Sequence, residues 1–184
     1  MVGHGSGSYE RELRRLLSGT PDDVRTYARA LPPESRGSFE RLLTEPFLVI
    51  RAAGSLGFDL VALRREFAFP IEVKASSEPV IRFTAASGRA NEQLSAHRAA
   101  VARVGLLVLY GYCRLGLRGE EPWRLFVTGA APDRGLLRFV CRPIPPVAAT
   151  REGNGILRWD DGMPLSKFVE RVHDVLERPS GVPA

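Results

Sequence analysis

The sequence contains little cysteine, and its spacing is unsuited to metal binding. Of 184 residues only two are cysteines, Cys113 and Cys141, and they stand far apart with no Cys-x-x-Cys pair. A zinc site is therefore not expected, because zinc sites use closely spaced Cys and His ligands. We expect both thiols to be reduced and buried, since the chain has no export features.

Long apolar runs are also missing. The longest, around residues 105 to 113, is too short to span a bilayer, and the first residues are polar and glycine-rich rather than an apolar signal segment. We therefore predict a cytoplasmic protein without membrane contact. Histidine is scarce as well, and His4, His97 and His173 offer no credible His-dependent nucleophile. His97 is expected to be structural or on the surface.

Positive charge is abundant. The formal net charge is +5, the pI is near 9.8, and arginine supplies most of the basic groups. A basic protein favours a polyanionic partner, because neutralising phosphates gives affinity that does not depend on base sequence. The planar guanidinium group suits phosphate better than the ammonium group of lysine.

The periodicity of apolar residues predicts a mixed α/β fold. Helices are predicted at 9–17, 20–31, 34–43, 91–104 and 165–176. Strands are predicted at 47–51, 58–63, 67–75, 106–112 and 123–128, with 136–142 as a further candidate. This order of elements predicts one mixed central β-sheet with helices packed on it.

Glu72-Val73-Lys74, at the end of an apolar run, is the most informative motif. Side chains alternate along a strand, so Glu72 and Lys74 share one face. Asp59, at the start of the preceding predicted strand, can reach the same place. The two carboxylates suit Mg²⁺, which binds one or two carboxylates and keeps several waters, and the lysine suits an activated water beside the ion. That combination is typical of phosphodiester hydrolysis.

Four segments, taken in order, resemble one family of DNA-cleaving enzymes. They are Tyr9-Glu10-Arg11-Glu12-Leu13, Val49-Ile50-Arg51-Ala52-Ala53-Gly54-Ser55, Asp59-Leu60-Val61-Ala62 and Ile71-Glu72-Val73-Lys74-Ala75-Ser76. The pattern resembles archaeal Holliday junction resolvases of the PD-(D/E)XK nuclease superfamily, over roughly residues 7 to 128. The resemblance implies a restriction-endonuclease-like core and a homodimer that makes paired nicks in a four-way DNA junction.

The resemblance also implies roles for the candidate catalytic residues. Glu10, Asp59 and Glu72 would hold Mg²⁺, with Mn²⁺ as an alternative ion. Lys74 would orient the attacking water or stabilise charge that develops on the phosphate. Ser55 would help to position the phosphate, although a serine in a glycine turn commonly serves the turn alone.

Four further residues are candidates for DNA contact. By the same resemblance, Arg11 and Arg51 would hold the scissile phosphate. Arg89 and Gln93 open the helix after the third strand and would line the DNA groove or support Lys74. The alternative for this pair is the solvated first turn of a capped helix.

Two parts of the chain depart from the family pattern. Residues 18–45 form an insertion within a predicted nuclease domain, 1–142, and residues 143–184 form a linker and a helical extension without counterpart. The insertion leaves two candidates for the helix carboxylate. Glu40 has the more usual spacing to the first strand, whereas Glu10 lies in the better-matching segment and is preferred.

Other functions fit parts of the same pattern. An isolated Glu-x-Lys is usually a solvent-facing charge pair, so the catalytic interpretation depends on the ordered residues upstream. A related repair or restriction-type nuclease acting on another DNA structure is the main alternative, and a non-catalytic DNA-binding or scaffold protein is a weaker one. The apolar face of the last helix could serve dimerisation or a partner such as a sliding clamp, although no clear clamp-binding motif is present.

Overall fold

The computed structural model describes residues 7–52, 57–84, 89–105, 107–117, 119–129 and 134–177. Its helices are α1 (Gly7–Leu17), α2 (Pro21–Ala30), α3 (Pro33–Glu40), α4 (Arg89–Val104), α5 (Leu137–Cys141) and α6 (Leu165–Glu177). Its strands are β1 (Leu48–Arg51), β2 (Leu60–Arg64), β3 (Phe67–Ser76), β4 (Val80–Phe83), β5 (Leu109–Arg114), β6 (Trp123–Val127), β7 (Ala148–Ala149), β8 (Gly155–Arg158) and β9 (Met163–Pro164).

A six-stranded sheet in the order β1-β2-β3-β5-β6-β9 forms the centre of the fold. Its neighbouring strands are antiparallel except for β3 and β5, which are parallel. Parallel neighbours need a long crossover, and the segment with β4 and α4 supplies it. The predicted mixed sheet flanked by helices is confirmed.

The β2–β3 hairpin turns tightly at Arg65-Glu66, in the short charged segment between the two predicted strands. Arg65 has a φ of 49°, and the paired residues run from Arg64 opposite Phe67 to Leu60 opposite Ile71. Arg64, the last residue of β2, is 8% exposed.

Helices cover one face of the sheet. The leucines of α1 and the apolar residues of α2, α3 and α6 join one core cluster with the inward residues of β2, β3 and β5. This face of β5 presents Leu109 and Cys113, whereas Tyr110 and Tyr112 point to the opposite face, as strand alternation requires.

The opposite face carries α4 and a second sheet of order β4-β8-β7. Phe83, Leu94, Tyr110, Phe126 and Trp159 are members of the cluster that packs there. The sequence did not predict these short strands, because runs of two to four residues show little periodicity. Glu72 and Lys74 lie on this face, opposite Tyr110 and Tyr112 in the parallel β3–β5 register.

Two C-terminal segments differ from the strand pattern expected from sequence. The candidate strand at 136–142 is wrong, because its centre forms the short helix α5, which buries Val140 and Cys141. Residues beyond 143 supply β9 to the edge of the central sheet, and α6 packs its apolar face into the main core.

Cys113 and Cys141 are free and buried, as expected, and burial raises the pKa of each thiol to about 12. In the described part of the chain, none of the helices has the length and apolar character needed to cross a membrane.

Candidate active site

Asp59 is fixed where the β2–β3 ladder ends. Its backbone N–H donates to the Ile71 carbonyl (3.0 Å), and its own carbonyl accepts from Ala52 N–H (2.9 Å). Its carboxylate Oδ2 accepts from the backbone N–H of Val73 at 2.7 Å. Because the pairing of β2 with β3 stops at Leu60 and Ile71, the Asp59 side chain takes over as hydrogen-bond partner of β3.

Glu72 and Lys74 form a close ion pair on β3. Lys74 Nζ donates to Glu72 Oε1 at 2.6 Å, and the side chains are 22% and 4% exposed respectively. The second oxygen, Glu72 Oε2, is buried and has no hydrogen-bond partner. Burial raises the pKa of Glu72 to about 7, an effect that Lys74 and, less strongly, Gln93 oppose and the charge of Asp59 reinforces. The site therefore contains a carboxylate oxygen in need of a cation or donor.

Helix α4 holds the lysine from the other side. Gln93 Oε1 accepts from Lys74 Nζ at 3.2 Å, and Gln93 Nε2 donates to the Gly57 carbonyl at 2.8 Å. Gly57 has a φ of +78° and lies two residues before Asp59. Gln93 thus bridges the lysine and the turn that precedes the aspartate.

Arginines surround a cavity beside α1 and β1. Arg51 Nη2 lies 3.4 Å from Glu10 Oε2, and the two side chains are 69% and 13% exposed. The cavity, of about 210 Å³, is lined by Gly7, Glu10, Arg11, Arg14, Arg51 and Leu60. Leu60 follows Asp59 directly in the chain and pairs with Arg51 across β1 and β2, but Asp59, Glu72 and Lys74 are not among the lining residues. Guanidinium groups placed in this way suit a phosphate.

The two candidate helix carboxylates lie in different places. Glu10 is on α1, which packs against β1, β2 and β3. Glu40 is an exposed residue at the end of α3, and α3 packs against α2 and α6. Ser55 lies outside the described residues. Arg89 begins α4, four residues before Gln93.

The donor atoms suit a cation that needs few protein ligands. Within the described ranges, no group of three or more His, Cys, Asp or Glu side chains is placed to hold a metal ion. Mg²⁺ needs only one or two carboxylates and completes its shell with water and phosphate oxygens. The orphaned Glu72 Oε2 and the carboxylate of Asp59 fit that requirement.

His97, which the sequence indicated only as structural or on the surface, contacts this region. His97, on α4, is 3% exposed, and its Nε2 contacts the Gly57 carbonyl while its Nδ1 lies 2.9 Å from the Tyr110 hydroxyl. Its spacing of four residues from Gln93 places both on one helix face, which was the available signal. The spacing can be interpreted only with the packing of α4 over Gly57, and the sequence does not show that packing.

Comparison with known proteins finds similarity only at the level of structure. No protein-family model and no curated protein matches the sequence. One of the similar solved structures is Hjc, a Holliday junction resolvase from the archaeal hyperthermophile Archaeoglobus fulgidus. The identity is 17%, the TM-score is 0.45, and the match covers 73% of this chain and 90% of that one. At those values, the function of this chain has to be argued from its own side chains.

Proposed function

We propose that this protein is a Mg²⁺-dependent DNA endonuclease that resolves four-way junctions, acting as a homodimer that makes paired symmetrical nicks. The main supporting observation is Glu72 Oε2, a buried carboxylate oxygen without a partner, next to Lys74. Leaving such a group unsatisfied costs about 1–3 kcal/mol. Binding a cation would offset that cost. A charge pair that served only the fold would be more stable with this oxygen hydrogen-bonded or exposed to water.

Each side chain then has a defined task. Asp59 and Glu72 would hold the ion, whereas Glu10 on α1 is paired with Arg51 and is not assigned as a ligand. When bound, Mg²⁺ would polarise the phosphate and lower the pKa of a water molecule. Hydrogen bonds to Glu72 and Gln93 hold the ammonium group of Lys74 beside the Glu72 carboxylate. There it would orient the water or stabilise developing negative charge.

DNA would approach over the arginine-lined cavity. Arg11, Arg14 and Arg51 line this cavity together with Leu60, the residue after Asp59, and the net charge of +5 adds a general attraction for phosphates. Backbone contacts of this kind set the position of DNA without reading its sequence. They fit an enzyme that recognises the structure of its substrate.

The substitution Asp59→Asn tests the site. Asparagine keeps an oxygen that can accept from Val73 N–H and loses the charge, so folding should be retained. Cleavage should fall by more than about 100-fold. Replacing a residue that only hydrogen-bonds to a metal ligand already lowers activity by about 10–100-fold, and Asp59 would be a ligand itself. Asp22→Asn, at an exposed position of α2, is the control with the same change in charge. Unreduced cleavage by Asp59→Asn would refute the assignment.

The choice of DNA tests the substrate. Labelled four-way junctions, linear duplexes and flaps are incubated with the protein in Mg²⁺ or chelator, and sedimentation measures the oligomeric state. Paired Mg²⁺-dependent nicks in the junction support the proposal. Cleavage confined to flaps or duplexes would indicate a related repair or restriction-type nuclease. Junction binding without cleavage would indicate a DNA-binding protein without catalysis.

A further inference from the structure

We infer that His97 is a positioning residue, which fixes Asp59 by holding the carbonyl of Gly57. The Gly57 carbonyl accepts from two side chains of α4, Gln93 and His97. Because Gly57 lies two residues before Asp59, restraining this carbonyl restrains the chain that carries the carboxylate. The role in catalysis depends on the nuclease function proposed above, whereas the positioning itself does not.

The hydrogen bonds of His97 require one arrangement of protons. A backbone carbonyl can only accept, so Nε2 must carry the hydrogen that is donated to Gly57. Nδ1 of the neutral ring is then an acceptor, and the Tyr110 hydroxyl donates to it over 2.9 Å. Tyr110 is fully buried on β5 of the central sheet. The imidazole therefore connects a rigid strand to the turn that precedes Asp59.

Packing supports the same role. The ring of His97 lies 5.7 Å from that of Tyr110 and 6.3 Å from that of Phe58, the residue directly before Asp59. His97 thus contacts both residues that precede the aspartate. A buried aromatic ring with both nitrogens bonded has little freedom to change rotamer. Gln93 joins the same carbonyl to Lys74, so α4 sets the aspartate and the lysine relative to each other.

One backbone amide reports directly on the position of Asp59. The N–H of Val73 donates to Asp59 Oδ2, so its hydrogen exchange should accelerate when the carboxylate moves away. The N–H of Thr128, which donates to the Val108 carbonyl at 3.1 Å, serves as the internal reference for changes in global stability. Neither measurement needs metal or DNA.

Two substitutions separate the hydrogen bond from the packing. His97→Phe keeps an aromatic ring and loses both hydrogen bonds, whereas His97→Gln keeps a donor at about the position of Nε2. We expect Val73 exchange to accelerate by about tenfold or more in His97→Phe, relative to Thr128, and to stay near the wild-type rate in His97→Gln. Cleavage kcat should fall by about 10–100-fold in His97→Phe with the KM for DNA unchanged, and His97→Gln should restore it.

Unchanged Val73 exchange in folded His97→Phe would overturn the inference, as would equal acceleration in His97→Phe and His97→Gln. If His97→Phe does not fold, His97→Asn replaces it, because that shorter amide keeps polarity and cannot reach Gly57. Equal Val73 exchange in the Asn and Gln variants would likewise overturn the inference. A wild-type protein that cleaves no DNA would refute the nuclease function and leave the exchange result standing.

Discussion

Replacing Glu72 with glutamine should remove a pH-dependent cost to stability. Burial raises the pKa of Glu72 from the ordinary 4.5 to about 7 in the folded protein. Between these values the folded state binds more protons than the unfolded state, so the stability of the wild-type protein falls as pH rises. Glutamine has nearly the same shape and does not ionise, so the variant lacks this loss.

The size of the effect follows from the two pKa values. A change from 4.5 to about 7 corresponds to roughly 3 kcal/mol, at 1.36 kcal/mol for each pKa unit. The side chain is only 4% exposed, so solvent screens this cost little. The stability of Glu72→Gln relative to the wild type should therefore increase by roughly 3 kcal/mol between pH 4 and pH 8.5. Cleavage by the variant should be lost, because the ligand charge is gone.

Urea unfolding of both proteins, followed at several pH values in chelator, measures the difference. Because the comparison uses the change in the free energy of unfolding with pH, any difference between the variants that does not depend on pH, such as altered packing against Lys74, cancels. A difference in stability that stays flat from pH 4 to pH 8.5 would show that Glu72 ionises normally, and our account of its burial would be wrong. Adding Mg²⁺ at pH 8 should stabilise the wild type and leave Glu72→Gln unaffected.

Two further predictions concern the basic cavity and the terminal helix. Arg14 lines the arginine-rich cavity beside α1 and β1, whereas Arg15 is paired with Asp23 at 2.7 Å. Arg14→Ala should weaken junction binding and reduce the slope of log K against log salt by about 1, while Arg15→Ala should change neither; equal effects would exclude a specific phosphate contact of Arg14. Burial and nearby arginines lower the pKa of His173 to about 4, so the wild type should lose roughly 3 kcal/mol of stability as pH falls from 6.5 to 4. Urea unfolding of His173→Leu should lack this loss, and a parallel pH dependence in both proteins would contradict it.

The sequence alone was enough for the hairpin that carries the candidate site. The apolar runs within the strands predicted at 58–63 and 67–75 leave only the charged residues Arg64-Arg65-Glu66 between them, which indicates a hairpin. Strand periodicity then places Glu72 and Lys74 on one face without any tertiary information. The amphipathic helices α1 and α6 were predictable for the same reason, because a spacing of three and four residues is visible locally.

Tertiary structure decided what those side chains encounter. The alternation places Glu72 on a face but does not show that Oε2 is buried without a partner, because burial there depends on packing between distant segments. Likewise, α4 was predictable as a helix, yet its contacts with Gly57, Lys74 and Tyr110 join residues 13 to 40 positions away in the chain. The apolar run at 136–142 was a candidate strand, and this was wrong because a short apolar run does not fix its own conformation and packing in the core makes it α5. Local periodicity therefore determined which residues share a face, and long-range packing determined their partners, exposure and ionisation.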